Sequence, residues 1–100
     1  MDEAQTQALL RQFATPLAGY AATSPQRKEL AEMLVRNLWI AMIGGPEMEE
    51  ETWKVIKTTG KLDDNALHVI RQLYHEQMKP QVSEDELADL RRRYQLRNEE

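Results

Sequence analysis

Leu38-Trp39-Ile40-Ala41-Met42-Ile43-Gly44-Gly45-Pro46 is the stretch on which the reading of this chain turns. Six apolar residues follow one another, and two glycines and a proline then end the run. A helix in a small domain ordinarily buries one stripe and leaves the rest wet. Here no side is wet, yet the run is far short of the ~20 apolar residues that cross a bilayer. Protein must therefore cover it, either neighbouring helices of the same chain or a partner.

The run closes a longer helix, expected over 25–43. Ser24 is a good N-cap and Pro25 suits the first helical position. The inner stripe reads Leu30, Ala31, Leu34, Leu38, Ala41 and Met42. Glu29, Glu32 and Arg36 mark the wet side of the first half, and Trp39, Ile40 and Ile43 replace it in the second. The helix thus enters the core as it proceeds, which makes it the central element.

Upstream, a helix over 3–22 carries Leu9, Leu10, Phe13, Leu17 and Tyr20 on one side, and Pro16 predicts a kink or a short break with Thr15 as cap. Downstream of the double glycine, a short helix is expected over 46–58. Its first-turn acids, Glu47 and Glu49 to Glu51, complement the helix dipole. Met48, Thr52, Val55 and Ile56 form the inner face, Trp53 lies to one side, and Gly60 is the expected C-cap. A strand over the β-branched run Thr52 to Thr59 would have no partner. A fourth helix over 64–79 starts at Asp63 with a Leu62–Leu67 staple, carries Ala66, Leu67, Val69, Ile70, Leu73, Tyr74 and Met78 on its apolar face, and stops at Pro80. A fifth over 84–97 repeats the device with Val82, Ser83, Glu86 and Leu87. Its stripe is narrow: Leu87, Leu90 and Tyr94. The expected fold is all-α, a compact single-domain bundle of about five helices with short loops.

One hundred residues suffice for one modest core, and 41% hydrophobic content is too high for disorder. The absence of cysteine excludes disulfides, thiolate nucleophiles and thiolate metal sites. Met1-Asp2-Glu3 is acidic where a secretory signal is basic, and no hydrophobic segment follows, so a cytoplasmic protein is expected. A net charge of −4 disfavours a dedicated nucleic-acid binder, although a local patch can override it.

Few residues offer chemistry. His68 and His75 lie two helical turns apart, about 10 Å along the axis, so one metal ion cannot take both. Asn65 and Gln72 stand three residues before them, where a di-iron bundle would place carboxylates. Both histidines read as solvated surface residues. His68 with Arg71 three residues on resembles the histidine phosphotransfer domains, though Gln72 stands where those place a glycine. The resemblance covers a handful of residues and implies a phosphotransfer bundle as one alternative. Ser24 and Ser83 read as caps, and Val55 and Leu62 break any phosphate-loop reading of Gly60-Lys61. Arg91, Arg92, Arg93 and Arg97 form the basic cluster of the last helix and suggest a nucleic-acid accessory as another alternative. Helical phase spreads them, however, and an Asp89–Arg93 pair is expected.

What remains is apolar surplus. The best reading is a small, non-catalytic protein-interaction or regulatory protein that self-associates or docks a protein partner, with no cofactor, no metal and no membrane contact. The expected contact residues are Trp39, Ile40, Ile43 and Trp53, then Leu87, Leu90 and Tyr94.

Overall fold

The computed structural model describes residues 3–98, with side chains through Tyr94. Four helices account for most of it: α1 (Glu3–Ala21), α2 (Arg27–Gly60), α3 (Asp64–Leu73) and α4 (Glu84–Asn98). No strand occurs among the described residues. The all-α class holds, but the five separate helices expected from the sequence become four. The reason lies at Gly45, which has φ 78° and ψ −172°. That backbone region is essentially confined to glycine. It breaks the helical path for one residue, and Pro46 restarts the helix immediately, with its fixed φ and missing N–H both suited to a helix start. The second and third expected helices are thus two arms of α2, 27–44 and 46–60, folded on one glycine.

The fold-back brings Gly60 against the start of the first arm. A Cβ on Gly60 would lie 3.0 Å from Leu30 Cδ1 and 3.1 Å from Met33 Cε, so the absent side chain is what lets the arms close. Gly60 therefore serves packing, and the left-handed cap falls instead on Lys61, φ 53° and ψ 45°. Leu62 N–H donates to the Lys57 carbonyl at 3.0 Å and Lys61 N–H to Thr58 at 3.3 Å, a Schellman closure. Lys57 also pairs with Asp64 at the start of α3 and holds that exposed carboxyl below its usual pKa range.

α1 runs through Pro16 as one helix, so of the kink or short break expected there the break does not occur. Thr15 is not a cap; its hydroxyl donates to the Arg11 carbonyl at 2.9 Å. The buried stripe of α1 is Thr6, Leu10, Ala14, Leu17 and Ala18, while Leu9 and Phe13 are half-buried and Tyr20 is 54% exposed. Small residues at 14 and 18 let α1 lie close on α2 and turn the larger side chains to the flanks. Ser24 likewise opens a short 3₁₀ turn, Ser24–Gln26, and α2 begins after it.

Asp63 caps α3 as expected, accepting from Ala66 N–H at 2.7 Å, and Ser83 caps α4, accepting from Glu86 N–H at 3.1 Å. The helix expected to continue to 79 instead widens into a π turn, Tyr74–Met78, and then a 3₁₀ turn, Lys79–Gln81. The wider turn advances fewer degrees per residue. Ile70, Tyr74 and Met78, each four apart, all stay fully buried. α2 packs against α1, α3 and α4, and the radius of gyration of 13.4 Å matches a compact body of this length.

Candidate functional site

The apolar run is largely internal. Leu38, Ala41 and Met42 are buried, and Trp39, Ile40 and Ile43 are half-buried. α4 supplies part of the cover: Tyr94 meets Trp39 edge-on with ring centroids 5.8 Å apart. The same helix repairs the break in α2. The Met42 carbonyl would normally accept the N–H four residues on, but that residue is Pro46 and has none. Arg91 Nε donates to it at 2.9 Å instead. Of the other expected contact residues, Trp53, Leu87 and Leu90 are buried at 2%, 7% and 1% exposure.

The arginine cluster is dispersed. Arg91 serves Met42, Arg93 holds Asp89 at 2.8 Å, and Arg92 is exposed. The Arg97 side chain lies outside the described residues. His68 is exposed, but His75 is not simply solvated. Its Nε2 lies 2.8 Å from Glu49 Oε1, and Lys79 Nζ is 3.6 Å from the other carboxylate oxygen. Glu49 is 9% exposed, the single buried carboxylate of the acidic run. Its neighbours are engaged outward, Glu50 by Arg71 and Glu51 by Lys54 at 3.6 Å. Trp53 and Tyr74 pack edge-on at 5.6 Å beside this pair. Burial, reinforced by the Glu49 charge and opposed by Arg91, pushes the Tyr74 phenol well above its ordinary value. The cluster clamps the second arm of α2 onto the π turn. Among the described residues no three acidic or histidine side chains converge on a point that could hold a metal ion. Ser83 lines the depression beside His75, but its oxygen is committed to the α4 cap.

A different feature is open. Between α1 and the first arm of α2 runs a groove made of two adjoining hollows of about 550 and 240 Å³, which share Arg11, Glu32 and Val35. Pro16, Ala31, Val35 and Trp39 supply apolar floor and walls. Arg11, Arg27, Lys28 and Arg36 edge it, against one carboxylate, Glu32. Lys54, Lys57, Arg71, Lys79 and Arg93 elsewhere on the surface each hold a carboxylate. None of the four groove cations is in a salt bridge among the described residues. Sequence reading passed over them. The available signal was weak: Arg11, Thr15 and Gly19 on α1, and Arg27, Ala31 and Val35 on α2, recur at intervals of four.

No protein-family model, no curated protein and no solved structure matches this chain. Its helices carry no segment long and apolar enough to cross a membrane, among the described residues.

Proposed function

We propose that this chain is a small, non-catalytic docking protein that takes an acidic helical segment of a protein partner into the α1–α2 groove. One observation carries the reading: four cations without salt-bridge partners, Arg11, Arg27, Lys28 and Arg36, edge one apolar-floored groove in a chain whose net charge is −4, whereas Lys61 and Arg92, also outside any salt bridge among the described residues, stand apart from it. Recognition of an amphipathic helix in this mode needs an apolar floor for the i, i+3, i+4 anchors and charges at the rim for register. From Arg27 to Trp39 the groove is about 18 Å long at 1.5 Å per residue, room for roughly three helical turns. Trp39 closes one end, which keeps it as a partner-facing residue. Ile40, Ile43 and Tyr94 stay half-buried beyond that end, whereas Trp53, Leu87 and Leu90 are withdrawn as anchors because the core occupies them. The lack of cysteine suits a reducing, cytoplasmic setting.

The test uses a designed, dye-labelled helical peptide with leucines at i, i+3, i+4 and i+7 and glutamates on its flanks. It is expected to bind in the micromolar range at low salt and to lose about ten-fold in affinity in Arg11→Glu. Binding that ignores the reversal overturns the groove as the site. A labelled single-stranded oligonucleotide that outcompetes the peptide would move the groove to nucleic acid.

A further inference from the structure

The exposed face of the second arm of α2 is the complement of the groove. Met48 and Val55, 45% and 46% exposed, are two of the three large hydrophobic side chains that stand clear of the fold among the described residues. They are seven residues apart and share one face. Glu47 and Glu51, both exposed, lie on the same side. Glu47 has no ion pair among the described residues, and Glu51 has only the exposed contact with Lys54. The stripe from Glu47 to Thr58 is about 17 Å long, the length of the groove. It is thus an acidic helix face with apolar side chains at i and i+7, matching the groove in length and opposite to it in charge.

We infer that the partner segment is the second arm of α2 of another copy of this chain, so that copies join acidic stripe into basic groove. The inference rests on the docking reading above. A single copy cannot satisfy itself, because the groove lies along the first arm and α1 while the stripe faces outward from the second arm. Groove and stripe are different surfaces, so each copy offers both halves of the contact; it closes reciprocally in a two-fold pair or repeats into a ring or an open filament.

Sedimentation velocity on the full chain tests this, from about 10 μM to about 1 mM, the range in which small interfaces associate. The wild type is expected to grow with concentration and to fall back to monomer as salt rises to about 0.5 M. Glu47→Lys with Glu51→Lys, and separately Arg27→Glu with Lys28→Glu, are each expected to weaken association about ten-fold or more. All four positions are exposed, and circular dichroism verifies that each variant retains its helix content. Mixing the two variants one to one is expected to restore growth, because each reversed surface meets an opposite one. A wild type that stays monomeric at about 1 mM and low salt overturns the inference. So does association indifferent to both reversals, or a mixture that stays monomeric. If the monomeric wild type still binds the designed peptide through the groove, self-docking alone fails and the groove reading stands; if it binds neither, both fall.

Discussion

The two arms of α2 have the same backbone and opposite legibility. In the first arm, Leu30, Leu34, Leu38, Ala41 and Met42 are buried, as their spacing predicts, while Ala31 of that stripe is half-buried and Met33 and Val35 are buried beside it. In the second, the spacing predicts Met48, Thr52, Val55 and Ile56 inside, yet the buried set is Glu49, Thr52, Trp53 and Ile56. The two alternatives share Thr52 and Ile56, so the choice lies between Met48 with Val55 and Glu49 with Trp53. Met48 and Val55 look better on hydropathy alone. Trp53 alone offers on the order of 200 Å² of ring to bury, more than Val55 could. Glu49 can go in with it because His75 and Lys79 meet its two oxygens. Redundant apolar residues thus fix a helix's phase locally, whereas a helix with few of them takes its phase from partners far along the chain.

The sharpest way to break this comparison is a pair of truncations in the second arm. Trp53→Ala is expected to lower unfolding stability by about 3–5 kcal/mol, as for a buried aromatic. Val55→Ala, on the exposed face, should stay within about 0.5 kcal/mol. Urea unfolding measures both, and reversed magnitudes would mean that Val55 faces the core.

A smaller effect probes the joint between the arms. Gly45→Ala meets no atom within 4 Å of the new Cβ, so any loss is backbone strain alone. About 1–3 kcal/mol is expected for a side chain at that φ and ψ. An unchanged urea midpoint would show that the arms do not turn on Gly45.

The smallest effect concerns the clamp on the second arm. Tyr74 keeps its proton in the fold at a pH where the unfolded chain has already lost it. Its contribution is whole below the ordinary tyrosine value of 10.0 and shrinks as pH climbs above it, toward the raised folded value. Absorbance at 295 nm should show Tyr74 ionising only with unfolding. Tyr74→Phe should flatten the alkaline fall in stability, and an equal fall in that variant would remove Tyr74 as its source.

The helix class, the caps at Asp63 and Ser83 and the core phase of the first arm were all legible, because each is set by residues within a turn or two. The Glu49–His75 pair was not, since its members are 26 positions apart and no local spacing joins them. Nor was the groove. Arg11 and Lys28 look like any solvated cations until the fold shows that neither is held in a salt bridge among the described residues. Pro16 misled for a related reason: its cost in an isolated helix is real, but the packing of Ala14, Leu17 and Ala18 holds α1 together across it.

The fold-back at Gly45 also has a kinetic meaning. It lets Leu30 meet Gly60 by closing a loop of about 30 residues, a search whose entropic cost grows only logarithmically with length. α1 and α3 then dock on a hairpin that is next to each of them in sequence. Topologies of such short range collapse in microseconds to milliseconds. The chain should show its main refolding phase in that window, with the hairpin of α2 as the part that forms before the rest condenses upon it.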